Sequence, residues 1–204
     1  METILIDMDD TIENLCEAWV GWLDNKYGLS VKVTDITEWD MTKFFPSLTP
    51  DEIYEPLKND EFWCTVQPKA DAQKYIKRLQ DDGYKVLICT TSNYHSFKSK
   101  MENCLFKHFP FISYDQVIVT HHKHLIKGDY LIDDGMHNFE GGDFKKILFT
   151  TPANRSINVC GTDIVRVKDW EEIYTIIVND MFDDLRDDYG EEWLLEDDNY
   201  IWGQ

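Results

Sequence analysis

Residues 3–11 read Thr-Ile-Leu-Ile-Asp-Met-Asp-Asp-Thr, in which a short apolar run at 3–8 ends in carboxylates. Such a run is typical of a buried parallel strand with a functional tip. Asp7 and Asp9 lie two residues apart, so in an extended strand their side chains share one face. Two carboxylates placed in this way repel each other unless a cation lies between them or one of them holds a proton. The stretch therefore predicts a strand whose end carries chemistry.

Apolar runs of strand length recur along the chain, at 85–90, 116–120, 130–134, 146–150 and 164–167. Between them lie helical stretches, at 70–82 before Gly83 and at 97–108 before Pro110. Strands that alternate with helices imply right-handed crossovers between parallel strands. The sequence therefore predicts an α/β fold, with a doubly wound, Rossmann-like parallel sheet of five or six strands.

The block from 16 to 69 interrupts this alternation, because it is rich in aromatic residues and mostly helical or irregular in pattern. Leu15, Trp19, Trp22 and Leu23 recur at helical spacing, which indicates core packing. Since the block follows the first strand, we interpret it as a small, mainly helical cap inserted above the strand tips. The predicted organisation is a core of residues 1–15 and 70–182, a cap of residues 16–69 and a C-terminal tail of residues 183–204.

Polar side chains also follow directly on two other predicted strands. Thr90 and Thr91 end one run, and Asp133 and Asp134 end another. In doubly wound sheets the ligand lies at the carboxyl ends of the strands, so we expect these side chains to lie near Asp7. The Asp-Asp pair offers the oxygen ligands that Mg²⁺ prefers, and the threonines can hydrogen-bond phosphoryl oxygens.

This set of residues suits phosphoryl transfer. Of Asp7 and Asp9, one can attack phosphorus as a nucleophile while the other moves the proton. Lys123, ten residues before Asp133, can neutralise the phosphoryl oxygens. A leaving alkoxide needs a proton, so the presence of Asp9 as a second acid beside Asp7 indicates a phosphatase.

Four elements together resemble the motifs of haloacid-dehalogenase-like phosphohydrolases: Asp-Met-Asp-Asp-Thr at 7–11, Ile-Cys-Thr-Thr at 88–91, Lys123, and Leu-Ile-Asp-Asp at 131–134. More narrowly, the Ile-Cys-Thr run, the position of Lys123 and Glu-Phe-Trp at 61–63 resemble the 5′(3′)-deoxyribonucleotidases. The similarity covers about residues 1–177. It implies a Mg²⁺-dependent phosphomonoesterase that acts on (deoxy)nucleoside monophosphates through an aspartyl-phosphate.

The resemblance also implies a role for each matched position in the core. Asp7 is then the nucleophile and a metal ligand. Asp9 is the general acid/base, and its backbone carbonyl is a second metal ligand. Thr90, Thr91 and Lys123 bind the phosphate.

Four further positions complete the implied site. Asp134 is a metal ligand, and Asp133 supports it. Leu15 and Trp39 contact the base of the substrate, although Leu15 stands where relatives often have a phenylalanine. Base and sugar preference, the choice between 5′ and 3′ esters, and which of Asp133 and Asp134 ligates the metal directly stay open at this point.

The composition narrows the class of ligand and the compartment. The chain carries 39 acidic and 20 basic residues, a formal charge of −19, and such a field repels a nucleic-acid backbone. We therefore expect a small phosphorylated substrate and no duplex nucleic acid. Five cysteines without a Cys-x-x-Cys pair indicate neither a disulfide framework nor a zinc site, which favours a reducing cytoplasm. No apolar run is long enough for a membrane span, so no membrane partner is expected.

Two features leave alternatives open. The tail at 183–204 holds nine acidic residues and one basic residue, yet it also contains Trp193 and Trp202. It is either a solvated segment or a docking segment for a protein partner, in which case the chain could be a binding protein. A sugar phosphate or another small metabolite is the alternative substrate. The histidines flanking Lys123, at 121, 122 and 124, are interpreted as surface residues rather than zinc ligands.

Overall fold

A computed structural model describes residues 1–179 and shows one sheet of six parallel strands. The strand order is β3-β2-β1-β4-β5-β6, which places the first strand in the centre. Every predicted apolar run forms a strand, and the predicted α/β class is confirmed. The strands are β1 (Thr3–Ile6), β2 (Lys85–Thr90), β3 (Val117–Val119), β4 (Tyr130–Asp133), β5 (Lys145–Phe149) and β6 (Ile164–Val167).

The register of β1 determines which polar residues meet at the sheet edge. Ile6 pairs with Ile88 of β2 on one side and with Ile132 of β4 on the other. The first strand ends at Ile6, two residues earlier than predicted, although the Asp7 amide still donates to the Ile132 carbonyl at 2.8 Å. The carboxyl ends of the three central strands therefore lie side by side.

Two helices cover one face of the sheet. The stretch predicted at 70–82 forms α4 (Ala72–Asp81), which packs against α7 (Trp170–Val178). Tyr75 of α4 and Tyr174 of α7 bring their rings to 5.4 Å between centroids. Gly83 follows α4 with φ of +95°, a conformation in which glycine has no steric penalty.

The stretch predicted as one helix at 97–108 is helical throughout but changes its winding. It consists of α5 (Phe97–Ser99), a π-helix (Lys100–Leu105) and α6 (Phe106–His108). The wider π turn is rare in proteins and often occurs at functional sites. Its first residue, Lys100, is buried against the strand tips.

Three α-helices and several short 3₁₀ turns lie between β1 and α4. The helices are α1 (Leu15–Tyr27), α2 (Pro50–Tyr54) and α3 (Asp60–Thr65). Apolar residues of these helices belong to the same hydrophobic cluster as the sheet, as Trp19 and Phe62 do with Ile88. The division into a core and a cap at residues 16–69 stays a prediction.

Other predictions concern the cysteines, the membrane and the tail. All five cysteines are free thiols. Within residues 1–179, no helix combines the length and the apolar character that crossing a membrane requires. The predicted acidic tail at 183–204 lies outside the described residues.

Candidate active site

Three buried carboxylates meet at the ends of the central strands. Asp7 follows β1, Asp133 ends β4, and Asp134 comes next. One oxygen from each lies within 4.8 Å of the others, and all three side chains are buried. Carboxylate oxygens gathered at this spacing match the donor set that a hard divalent cation requires. The geometry therefore fits a cation at this edge of the sheet.

Lys123 lies between two of these carboxylates. It begins a 3₁₀ turn (Lys123–Leu125) after β3, and its side chain is buried. Its ammonium donates to Asp7 Oδ1 and, at 2.5 Å, to Asp133 Oδ2. Burial lowers the pKa of Lys123, but the Asp7 and Asp133 carboxylates raise it further, so the net shift is upward. The lysine therefore stays charged, and it directly contacts the predicted nucleophile.

Asp133 and Asp134 differ in the number of hydrogen bonds that they accept. Asp133 Oδ1 accepts from the Gly135 amide and from Asn138 Nδ2, each at 2.8 Å, while its Oδ2 accepts from Lys123. In the part of the chain that the structure describes, the Asp134 side chain accepts one hydrogen bond, from the Trp39 indole at 3.1 Å. Asp134 therefore keeps an oxygen available for a cation, whereas Asp133 is already satisfied by the protein.

The negative charge of these carboxylates exceeds the positive charge of the lysine beside them. Burial, together with the nearby Asp133 and Asp9, raises the pKa of Asp7 to about 7. Lys123 lowers this pKa, but only in part. The pKa of Asp134 is raised well above its usual range by burial and by Asp133 and Asp7. A divalent cation would relieve both shifts, because it favours the ionised forms.

Asp9 pairs with a lysine that sequence reasoning missed. The ammonium of the buried Lys100 donates to Asp9 Oδ2 at 2.6 Å, to Thr90 Oγ1 at 2.8 Å and to the Thr91 carbonyl at 3.0 Å. Asp9 itself keeps 32% of its side chain exposed. The site thus has a second fixed ammonium, next to the predicted acid/base. A signal existed in the sequence, because position 100 lies on the same helix face as the apolar Phe97 and Cys104.

The two threonines are placed differently from each other. Thr90 is fully buried and shares its hydroxyl with Lys100. The Thr91 hydroxyl donates to the Thr120 carbonyl at 3.2 Å, at the end of the neighbouring strand. Both residues contact Lys100, and the Thr91 hydroxyl is already engaged in a hydrogen bond, so their role at a phosphate stays a prediction.

Asp10 and Glu13 add two more acidic groups behind the site. Asp10 has φ of +56°, and its carboxylate accepts from the Cys16 amide at 3.0 Å, which caps the start of α1. Glu13 is buried, and no donor contacts its carboxylate within residues 1–179. Burial first, and then Asp9 and Asp10, raise the pKa of Glu13 well above its usual range. These groups make the surroundings of Asp9 strongly acidic apart from Lys100.

Two clefts open from the strand tips, and Asp9 and Leu15 line both of them. The metal-side cleft has a volume of about 190 Å³. Its lining includes Asp134, Trp39, Met41, Ile36, Trp19 and Pro152. The lysine-side cleft has a volume of about 310 Å³. Its lining includes Lys100, Thr91, Asn93, His121, Leu57 and Trp63.

The structure separates the two predicted base contacts. Leu15 lies between the clefts, where a substrate in either one would meet it. Trp39 lies only in the metal-side cleft, with 43% of its surface exposed, and its ring packs edge-on against His137 at 6.1 Å. His121, His122 and His124 are exposed, and in residues 1–179 the one group of potential metal ligands found contains no histidine.

Sequence comparisons find known proteins that this chain resembles over most of its length. A sequence model of the family described as 5′ nucleotidase, deoxy (pyrimidine), cytosolic type C protein matches residues 1–182. A 5′(3′)-deoxyribonucleotidase of Bacillus subtilis (strain 168) is 36% identical over 174 residues, which cover 84% of this chain and 96% of the relative. A 5′(3′)-deoxyribonucleotidase of Clostridium acetobutylicum is 31% identical over 170 residues, 83% of this chain and 91% of the relative.

Solved structures show the same fold at low sequence identity. A HAD family hydrolase from Deinococcus radiodurans R1, with bound phosphate and sodium, superposes with a TM-score of 0.62 at 11% identity, covering 89% of this chain and 97% of that one. A HAD phosphatase from Thermococcus onnurineus gives a TM-score of 0.51 at 17% identity, covering 87% and 98%. At these identities the likeness concerns the fold alone.

Proposed function

Because this chain belongs to the 5′ nucleotidase, deoxy (pyrimidine), cytosolic type C protein family of phosphoric monoester hydrolases, we propose that it dephosphorylates deoxynucleoside monophosphates through an aspartyl-phosphate on Asp7. The observation that carries this proposal is the meeting of Asp7 with Lys123 and Asp134 beside the Asp9–Lys100 pair. We place the activity in the cytoplasm, where the five free thiols would persist.

In the first step Asp7 attacks phosphorus. A new bond forms between an Asp7 oxygen and phosphorus while the ester P–O bond breaks. The leaving oxygen takes a proton from Asp9, which enters this step as a carboxylic acid. Lys123 and Lys100 flank the reacting groups, so their ammonium groups oppose the negative charge on the phosphoryl oxygens.

In the second step Asp9, now a carboxylate, acts as a base. It takes a proton from a water molecule whose oxygen attacks the phosphorus of the aspartyl-phosphate. The bond between phosphorus and the Asp7 oxygen breaks, which regenerates the carboxylate and releases inorganic phosphate. The partial exposure of Asp9 supports this role, because the acid/base must reach both the leaving group and water.

Asp7 and Asp134 are the residues that would hold a magnesium ion, with the Asp9 carbonyl as a further ligand. The ion, when bound, supplies positive charge to the phosphoryl oxygens and to the buried carboxylates. Asp133 plays a different part, because its three hydrogen bonds fix Lys123 and the turn after β4. Asp134 is therefore the direct ligand in this proposal, and Asp133 supports it.

The lysine-side cleft suits a nucleotide better than the metal-side cleft does. It combines Lys100 and His121 with apolar side chains such as Leu57, which suits an anionic group next to an apolar one. Its volume of about 310 Å³ lies at the lower end of the range for small-molecule sites. The metal-side cleft presents the carboxylates of Asp134 and Asp10, which repel a phosphate ester unless a cation intervenes.

A panel of phosphomonoesters, each assayed with Mg²⁺ and with EDTA, tests the proposal. We expect deoxynucleoside monophosphates to be turned over with Mg²⁺ and not with EDTA, and Asp7→Asn to abolish turnover. Acid-quenched wild-type protein should carry substrate-derived phosphate on Asp7. Mass spectrometry should detect it as an increase of about 80 Da, the mass of HPO₃. Turnover that survives Asp7→Asn would refute the mechanism. Preference for a sugar phosphate would refute the substrate class and leave the mechanism intact.

A further inference from the structure

Trp39 makes two contacts with the turn that follows β4, and the catalytic steps above use neither. Its indole N–H donates to Asp134 Oδ2 at 3.1 Å. Its ring packs against His137 at 6.1 Å between centroids, with an interplanar angle of 81°. His137 belongs to the 3₁₀ turn (Met136–Phe139) that follows Asp134. One side chain from the loop ahead of α2 is thus docked onto the carboxylate that would bind the cation.

Asp134 depends on this contact for its orientation. Within residues 1–179, the indole N–H is the one donor that its carboxylate accepts, whereas Asp133 has three. A carboxylate held through one oxygen presents the other oxygen in a fixed direction. Residues that orient a metal ligand in this way commonly change metal affinity by about 10–100-fold when they are replaced.

We propose that Trp39 is a positioning residue for the cation. Its N–H fixes Asp134 Oδ2, so that Oδ1 faces the cation, and its docking links the loop around Trp39 to cation occupancy. This inference rests on the proposed function, in which Asp7 and Asp134 hold a divalent cation. It gives Trp39 a role that does not require contact with the substrate.

The loop has the properties that such a link requires. Trp39 lies between two 3₁₀ turns, Val33–Asp35 and Met41–Lys43, outside any regular element. Its side chain is 43% exposed, so the hydrogen bond to Asp134 is a main restraint on the indole. A change in the position of Asp134 on cation binding would therefore alter the surroundings of the Trp39 indole, and the fluorescence of Trp39 would change with it.

The test compares two tryptophan-to-phenylalanine variants of the full chain. Trp39→Phe keeps an aromatic ring and removes the donor to Asp134. Trp22→Phe is the matched control, because in the described part of the chain the buried Trp22 indole N–H has no acceptor. Cation affinity is measured by calorimetric titration with Mg²⁺ or Mn²⁺ alone, without substrate, and tryptophan emission is followed in the same titration.

We expect Trp39→Phe to weaken the cation affinity by about 10–100-fold and Trp22→Phe to leave it within about twofold of wild type. The cation-dependent change in emission should disappear in Trp39→Phe and persist in Trp22→Phe. The Mg²⁺ concentration that gives half-maximal turnover should rise by a similar factor in Trp39→Phe and stay within about twofold of wild type in Trp22→Phe.

The outcomes separate this inference from the proposed function. Wild-type protein that binds the cation, with Trp39→Phe binding it equally tightly, overturns the role of Trp39 alone. Equal weakening in both variants also overturns it, because the effect would then be general to the helical segment. Wild-type protein that binds no cation, or an Asp134→Asn variant that binds it unchanged, overturns the cation site and the inference together.

Discussion

Replacement of Lys100 by methionine tests the part of the site that the structure adds to the sequence. The ammonium of Lys100 is buried and contacts Asp9, Thr90 and the Thr91 carbonyl at 2.6, 2.8 and 3.0 Å. Methionine has a similar length and no charge, so it fills the space without replacing the donor. The substitution therefore removes one fixed positive charge between Asp9 and the two threonines that we expect to bind phosphate.

The expected loss follows from the charge that the transition state carries. A unit positive charge at about 4 Å from an anion contributes roughly 4 kcal/mol at an effective dielectric constant of about 20. Removal of one preorganised donor from a developing oxyanion typically costs about 10²–10³ in kcat. We therefore expect kcat/KM to fall by about 10²–10³. Stability should fall by less than the usual 3–5 kcal/mol for a broken buried pair, because Asp9 is 32% exposed and water can solvate it.

The assay is steady-state hydrolysis of a deoxynucleoside 5′-monophosphate at saturating Mg²⁺, with urea unfolding as a measure of stability. Lys98→Met is the control, because it removes the same charge from α5, where Lys98 is 80% exposed and 3.8 Å from Glu102. We expect Lys98→Met to keep kcat/KM within about threefold of wild type, as is usual for exposed pairs. A Lys100→Met enzyme that is equally active, or a Lys98→Met enzyme that is equally impaired, would contradict the assignment.

Three further predictions concern the carboxylates and Leu15. Without Mg²⁺, Asp133→Asn should lower the free energy of unfolding by about 3–5 kcal/mol, since it removes one charged partner of the buried Lys123. Asp134→Asn should be as stable as wild type in the same urea titration but should gain no stability from added Mg²⁺. The reverse pattern would refute the division of roles between the two aspartates. Leu15→Phe should lower KM for nucleotides by about 2–10-fold through ring stacking, worth about 0.5–1.5 kcal/mol, with KM for a sugar phosphate unchanged; an equal change for both substrates would contradict the stacking. In EDTA the urea midpoint should fall as pH rises from about 4 to about 7. The reason is that the pKa of Asp7 is near 4 in the unfolded chain and about 7 in the folded protein, so the stability that its proton contributes is complete below the first pKa and lost above the second. Mg²⁺ should suppress this fall, and a midpoint that rises with pH in EDTA would contradict the prediction.

The sheet was predictable from the sequence because its strands are buried on both faces. Such strands appear as continuous apolar runs, so β2 and β6 were predicted with their observed bounds. The predicted first strand is two residues too long, because the buried Met8 continues the apolar run after the strand ends at Ile6. The π winding at 100–105 could not be predicted, since periodicity gives helix without its pitch.

The carboxylate site and Lys123 were predictable for a related reason, but Lys100 was not. The residues at strand tips meet because parallel strands end at one edge, so Asp7, Asp133 and Asp134 could be grouped from their places alone. Lys100 lies on a helix, and nothing local to it shows which strand tip it reaches. Trp39 was predicted to contact the base, but only the folded chain shows its indole on Asp134.

The lining of the two clefts separates the residues that serve the chemistry from those that select the substrate. Asp9 and Leu15 line both clefts, so they meet the phosphate ester whichever cleft holds its organic part. Residues that line one cleft alone can distinguish substrates, and in the lysine-side cleft these include Asn93, Trp63 and His121. If Asp9 is the acid that protonates the leaving oxygen, as proposed, any ester whose oxygen is presented at this junction can react. We therefore expect discrimination among nucleotides to depend on how the lysine-side cleft orients the nucleoside relative to Asp9, and not on the acid/base chemistry itself.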